Sequence, residues 1–127
     1  MSHRIAFYGT LLTVHGAQDH LGIRDRCRFV SPCTLRGLLY DFGPYPALVD
    51  GGGLVYAEVF EVDDETLRII DAFEGYDPGQ PDGSDYQRTK VSTVEDGAQV
   101  WVYRFRGDVA KAVPIVSGDY RAGNSAW

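Results

Sequence analysis

Glu74 is the strongest candidate in this sequence for a residue that transfers protons in an acid–base reaction. If a helix starts after Asp63, one face carries Leu67, Ile70, Asp71 and Glu74, which follow at helical spacing. The apolar members mark that face as the core side and place Glu74 at the helix C-terminus, pointing inward or at a cavity rim. Partial burial and the negative end of the helix dipole would both raise its pKa toward neutrality, which suits proton transfer. A solvated glutamate just before a helix-ending glycine is the alternative that the spacing leaves open.

A second candidate is the loop Tyr8, Gly9, Thr10 and Leu11, which follows a short apolar strand. Glycine permits positive φ and lets a ligand approach backbone N–H groups closely. Successive free N–H groups can form an anion-binding nest, to which Thr10 would add a hydroxyl and Tyr8 a phenol. An ordinary break between strand and loop explains the same residues, so this pattern alone does not decide the role.

The two cysteines, Cys27 and Cys33, are predicted to be reduced thiols. Along one extended strand their Cα atoms would lie about 20 Å apart, whereas a disulfide needs about 5.5 Å. Only a tight reversal at Ser31-Pro32 would bring them together. A nucleophilic cysteine remains as an alternative, although no histidine lies at a suggestive position nearby. Structural roles without metal are predicted for the histidines at positions 3, 15 and 20, which lack metal-ligand spacing.

Bulk composition indicates one globular domain over residues 1–127. Hydrophobic residues make up 44% and charged residues 24%, an ordinary balance for a folded chain. The net charge is −6, and no basic block could release counterions from a nucleic acid, so nucleic acid binding is not expected. No apolar run approaches the roughly 18–20 residues of a membrane span. The apolar run at residues 5–8 is too short for a secretion signal, which favours a cytoplasmic protein.

Apolar and β-branched runs predict strands over residues 4–8, 27–40, 54–62, 86–95 and 99–106. Pro32 indicates an edge or a kink in the second of these. A short helix is predicted near residues 17–21. The main helix begins after Asp63, an N-cap candidate, runs to about Phe73 and is ended by Gly75.

Loops are predicted at residues 43–46, where two prolines stiffen the chain, and at 77–84. The glycines at 51–53 are predicted to form a flexible turn, and Asp96-Gly97 a hairpin turn. Residues 108–127 show no clear pattern. One main helix among hairpin-connected strands predicts an α+β fold with a mostly antiparallel sheet or small barrel.

Several motifs, in this order and spacing, resemble those of the γ-glutamylcyclotransferase-like family. The resemblance extends from Ile5 to at least Phe105, and the length is similar to that of compact bacterial members and the γ-glutamylamine cyclotransferase branch. The motifs are FYGTL at 7–11, LYDxGPYPALV at 39–49, DxFEGY at 71–76, YxR at 86–88 and WVY at 101–103.

The resemblance implies a barrel-like α+β fold with a cavity between the Tyr8–Leu11 loop and Glu74. It implies that the loop binds a γ-glutamyl group, that Glu74 accepts and donates the proton, and that no cofactor takes part. Tyr45 and Tyr103 are added as substrate-binding residues. Arg88 is left outside the site as structural.

The reaction so implied converts a γ-glutamyl amine or γ-glutamyl amino acid into 5-oxoproline and a free amine, by attack of the substrate's own α-amine. Glutathione or another γ-glutamylated compound is an alternative substrate. A non-catalytic small-molecule-binding or regulatory module on the same fold is the alternative function. Ala57 replaces a glycine of many relatives, and residues 79–84 form a longer segment that would reshape the cavity mouth. The sequence predicts no particular oligomeric state.

Overall fold

A computed structural model describes residues 2–43, 45–80 and 83–121. Within these ranges six strands form one sheet in the order β4-β5-β1-β3-β2-β6, in which every neighbouring pair is antiparallel except β1 and β5. The predicted α+β class with a mostly antiparallel sheet is confirmed. The elements are β1 (Ser2–Phe7), α1 (Ala17–His20), a 3-10 turn (Arg24–Arg26), β2 (Arg28–Asp41), β3 (Pro46–Asp63), α2 (Asp64–Phe73), β4 (Tyr86–Ser92), β5 (Gln99–Phe105) and β6 (Val113–Pro114).

The main helix, α2, begins and ends at the residues that its sequence signals predict. The Asp63 side chain accepts a hydrogen bond from the Thr66 N–H at 2.8 Å, which caps the first turn. At the other end Gly75 has φ +71°, and its N–H donates to Ala72 O at 3.1 Å. The next N–H, that of Tyr76, donates to the carbonyl of Asp71 at 2.8 Å, which completes a Schellman motif. Glu74, the C-cap residue, is therefore held at a fixed point.

The predicted turn at Gly51–Gly53 is wrong, because these glycines lie inside β3. Leu54 pairs with Arg36 and Val49 with Leu38, so residues 50–53 of β3 stand opposite a single residue of β2, Gly37. A Cβ atom at Gly51 would lie 2.4 Å from the Leu38 side chain. The glycines therefore allow a bulge and a close approach between two long strands, rather than ending one of them.

Both faces of the central strands β1 and β3 are buried, as predicted for β3. Ala6 and Tyr8 join one apolar cluster with Val55, whereas Ile5 and Phe7 join a second cluster with Phe60. Helix α2 packs Leu67 and Ile70 into the second cluster. Since both faces are covered, the loop that leaves β1 and the end of α2 are placed on a rigid base.

The predicted hairpin between β4 and β5 is confirmed at Asp96-Gly97. Thr93 N–H donates to Ala98 O at 2.9 Å, and Gly97 adopts φ +71°. Strand β4 ends at Ser92, three residues before the predicted end, because the turn includes Thr93 to Gly97. No helix within the described ranges is long and apolar enough to cross a bilayer.

Candidate active site

A cavity of about 450 Å³ opens between the loop after β1, the end of α2 and the first residues of β3 and β4. A volume of this size is ordinary for a small-molecule site. Every predicted site residue lies on its wall, although placement does not test their roles. The wall is formed by Ala6, Phe7, Tyr8, Gly9, Thr10, Leu11, Tyr45, Pro46, Ala72, Phe73, Glu74, Gly75, Asp85, Tyr86 and Tyr103.

The carboxyl group of Glu74 is partly buried on this wall. Its side chain makes no hydrogen bond or ion pair with any described residue. Burial raises its pKa from 4.5 to about 7, and the nearby negative charge of Asp71 adds to the rise. At neutral pH both protonation states are therefore populated, which suits a group that takes up and returns a proton.

Three tyrosines, Tyr8, Tyr86 and Tyr103, line the cavity around Glu74, and each phenol already donates its proton elsewhere. Tyr8 OH donates to Tyr103 O, Tyr86 OH to Pro46 O and Tyr103 OH to an Asp71 carboxylate oxygen, each at 2.6 Å. Burial, followed by charges that include that of Glu74, raises the pKa of all three phenols. The three phenols are therefore neutral, and none of them donates a hydrogen bond that would stabilise the Glu74 carboxylate.

Asp71 is the buried centre of a network behind the cavity. Arg88 donates to it twice, from Nε to Oδ1 at 2.8 Å and from Nη2 to Oδ2 at 3.2 Å. The same guanidinium lies 4.6 Å from the Trp101 ring centroid and 5.6 Å from that of Tyr76. Asp71 thereby fixes the Tyr103 phenol and sets part of the electrostatic environment of Glu74.

Gly9 is required by a close approach rather than by its backbone angle. A Cβ atom there would lie 2.4 Å from Pro46 Cγ, so the loop packs directly on the start of β3. Gly9 is not among the described glycines with positive φ, so this position does not use the left-handed conformation that glycine permits. Its carbonyl accepts from Leu12 N–H at 3.0 Å, whereas the N–H groups of Thr10 and Leu11 donate to no described residue. Because both residues line the cavity, their N–H groups are candidates for binding an anionic ligand.

Two buried side chains anchor this loop beyond its glycine. Gln18 Nε2 donates to Leu11 O at 2.7 Å. Glu58 accepts from the N–H of Thr13 at 2.9 Å and from the phenol of Tyr56 at 2.9 Å. These hydrogen bonds fix the chain at Leu11, the last residue of the loop, and at Thr13, two residues beyond it.

Comparison with known proteins decides the family. The sequence profile described as "Gamma-glutamyl cyclotransferase, AIG2-like" matches residues 5–122. The chain belongs to this family. The predicted resemblance is thereby confirmed, and membership supports an enzyme of the γ-glutamylcyclotransferase type.

Two relatives of this γ-glutamylcyclotransferase-family chain carry names from the same family, and a solved structure shares its fold. A Vibrio cholerae protein with a provisional γ-glutamylcyclotransferase name is 30% identical over 106 residues, 82% of this chain and 84% of its own. The bovine γ-glutamylaminecyclotransferase is 31% identical over 105 residues, which are 72% of this chain and 56% of the bovine protein. An uncharacterised Pyrococcus horikoshii protein has a crystal structure that aligns with a TM-score of 0.73 at 28% identity, over 94% of this chain and 91% of its own.

Four further residues of this family member support or line the site without having been predicted from the sequence: Asp71, Tyr86, Gln18 and Glu58. A signal existed for Asp71, which precedes Glu74 by one helical turn on the same buried face. A buried carboxylate requires a partner, and Arg88 of the YxR motif supplies it. Arg88 does not line the cavity, in agreement with the structural role predicted for it, yet it supports the cavity wall through Asp71.

The cysteines lie apart from the cavity. Cys27 and Cys33 are free and buried in different apolar clusters, as predicted for reduced thiols. Burial raises the pKa of Cys27 to about 11 and that of Cys33 to about 12. Thiols so protonated are poor nucleophiles at neutral pH, which argues against a cysteine-dependent hydrolase.

Proposed function

We propose that this protein is a γ-glutamyl cyclotransferase that releases 5-oxoproline and a free amine from a γ-glutamyl amide, with Glu74 as its proton acceptor and donor. What supports this function most directly is the position of Glu74. Its carboxyl group, with a pKa of about 7, lies on the same cavity wall as the Tyr8–Leu11 loop. Family membership supports the same reaction type.

In the proposed reaction the nucleophile belongs to the substrate. The Glu74 carboxylate removes a proton from the α-ammonium group, and the resulting amine attacks the γ-carbonyl carbon to close a five-membered ring. As the C–N bond to the leaving group breaks, Glu74 returns its proton to the departing nitrogen. The further proton lost by the attacking nitrogen also ends on the free amine, which leaves as an ammonium ion.

The other wall residues bind and orient in this proposal. The free N–H groups of Thr10 and Leu11 hold an anionic oxygen of the γ-glutamyl group. The neutral phenols of Tyr8, Tyr86 and Tyr103 form a rigid surface that folds the flexible substrate toward ring closure, an effect that can supply several kcal/mol. This division leaves proton transfer to Glu74 alone.

The test compares wild-type protein with Glu74→Gln on γ-glutamyl amides, γ-glutamyl amino acids and glutathione, with 5-oxoproline as readout. We expect wild-type turnover with at least one substrate, a loss of about 10³-fold or more in the variant, and unchanged substrate binding by calorimetry. Near-normal turnover by Glu74→Gln would refute the role of Glu74. Binding without 5-oxoproline formation by the wild-type protein would instead indicate the non-catalytic module.

A further inference from the structure

Asp85 is a charged residue of the cavity wall to which neither the sequence motifs nor the proposed reaction gives a role. It immediately precedes β4 and is exposed, so it lies at the cavity rim. Its carbonyl accepts from Arg106 N–H at 2.8 Å, which fixes the backbone at this point. Its carboxylate makes no hydrogen bond or ion pair with the described part of the chain and is therefore available to a ligand.

The described side chains of the cavity wall can carry negative charge but not positive charge. Among the described wall residues the ionisable acids are Glu74 and Asp85, and none is Lys, Arg or His. Glu74 is occupied with proton transfer in the proposed reaction, which leaves Asp85 as the carboxylate that a leaving group would meet. A leaving group with its own carboxylate would be repelled by Asp85 and would meet no cation among the described wall residues, whereas one with a positive charge would find a partner.

Two aromatic rings also line the exposed part of this cavity. Tyr45 is 43% exposed and Phe73 is 40% exposed, and both line the cavity. Exposed aromatic rings pack against alkyl chains and attract cations at their faces. Two rings and a free carboxylate together match an alkyl chain that ends in an ammonium group.

We propose that Asp85 is a specificity-determining residue, which selects γ-glutamyl amides whose leaving amine carries a second positive charge on an alkyl chain over those whose leaving group carries a carboxylate. This inference rests on the proposed function, in which Glu74 and the Tyr8–Leu11 loop hold the γ-glutamyl group. The remainder of the substrate then extends to the open rim, where Asp85, Tyr45 and Phe73 lie.

The test uses three γ-glutamyl amides of similar chain length, made from 1,5-diaminopentane, n-pentylamine and 6-aminohexanoic acid, whose carboxylate lies at the chain end where the diamine carries its ammonium group. We expect kcat/KM of the wild-type protein to fall in that order. In Asp85→Asn, the ratio of kcat/KM for the diamine amide to that for the pentylamide should fall about fivefold, as expected for loss of an exposed ion pair. Asp85→Lys should reverse the preference in favour of the 6-aminohexanoate amide, because its terminal carboxylate would then meet a cation. The control, Asp25→Asn, removes an exposed carboxylate away from the cavity and should leave the ratio unchanged.

Binding separates specificity from turnover. In a Glu74→Gln background, calorimetry should show tighter binding of the diamine amide than of the pentylamide, and added salt should reduce the difference. An unchanged ratio in Asp85→Asn, with 5-oxoproline still formed, would overturn the role of Asp85 and leave the proposed function intact. Absence of 5-oxoproline from all three amides and from the wider panel would overturn both.

Discussion

Burial raises the pKa of the Glu74 carboxyl group, and no neighbouring phenol offsets this by donating a hydrogen bond to the carboxylate. The phenols of Tyr8, Tyr86 and Tyr103 donate to two carbonyls and to Asp71, so none of them compensates a charge on Glu74. Asp71 contributes a second negative charge, held in place by Arg88. A base with a pKa near neutrality is thus obtained without a dedicated hydrogen-bond partner.

The proposed role of Glu74 predicts the pH dependence of kcat/KM. The carboxylate must be ionised to act as a base, so activity should fall as the pH drops through about 7. In Asp71→Asn the negative charge that helps to raise this pKa is absent, so the acidic limb should move to lower pH. Rates measured from pH 5 to 9 check this, with Asp25→Asn as the charge-matched control. An unmoved or upward-shifted limb in Asp71→Asn would contradict the electrostatic coupling.

Helix α2 positions Glu74 through its C-terminal cap. Gly75 adopts φ +71°, where a Cβ atom is strained, and its N–H and that of Tyr76 close the last turn. The position of Glu74 therefore depends on a backbone conformation that glycine adopts without penalty.

Gly75→Ala should lower stability by about 1–2 kcal/mol, the cost of a left-handed conformation for a residue with a Cβ atom. It should also reduce turnover, because the cap shifts Glu74. The control is Gly52→Ala, at a glycine outside the left-handed region with open space around its Cβ position, which should be nearly neutral. Thermal unfolding and initial rates measure both effects, and equal stability of the two variants would refute the strain argument.

Contact between the loop after β1 and the start of β3 supports the other side of the cavity. In Gly9→Ala the added methyl group would lie 2.4 Å from Pro46 Cγ and must push the loop away. Because the free N–H groups of Thr10 and Leu11 move with it, we expect KM to rise about tenfold or more, with a stability loss of about 1–3 kcal/mol. Gly52→Ala, which meets no atom within 4 Å, serves as the control. An unchanged KM in Gly9→Ala would remove this loop from substrate binding.

The buried carboxyl group of Glu74 lowers the free energy of unfolding of the whole protein when it is ionised. The pKa of Glu74 lies above its unfolded value of 4.5, so the folded state binds more protons between pH 4.5 and about 7. Stability must therefore decrease as the pH rises through that window, and ionised Glu74 disfavours the folded state above it. The full shift corresponds to up to about 3 kcal/mol.

Glu74→Gln should therefore be more stable than wild type at pH 8, by several degrees in Tm, and little different at pH 4. The side chain of glutamine is neutral throughout, which removes the cost of the buried charge. Calorimetric unfolding at the two pH values gives the difference, with Asp25→Asn, which removes an exposed carboxylate without an ion pair among the described residues, as control. A variant less stable than wild type at pH 8 would indicate that ionised Glu74 is favourably bound instead.

Local signals in the sequence were sufficient for much of the fold and for the members of the site. Periodicity and capping residues predicted α2 from Asp63 to Gly75, and the motifs identified the family and the residues that line one cavity. These features depend on neighbours within a few positions, or on a pattern shared with relatives. The glycines at 51–53 were misassigned, because a glycine run has the same local preferences in a turn and in a bulge, and only the pairing of β3 with β2 distinguishes them.

The sequence predicted burial as a cause of the raised Glu74 pKa, but the tertiary structure alone decided which charged and phenolic side chains surround this carboxyl group. Asp71 meets Arg88 from β4 and Tyr103 from β5 only because the sheet places these strands behind α2. Strand order depends on the packing of distant segments, which no local propensity encodes. By itself the sequence identified Glu74 as a candidate proton carrier. The folded chain placed it among phenols whose protons are committed elsewhere, and burial without compensation is the physical reason for its raised pKa.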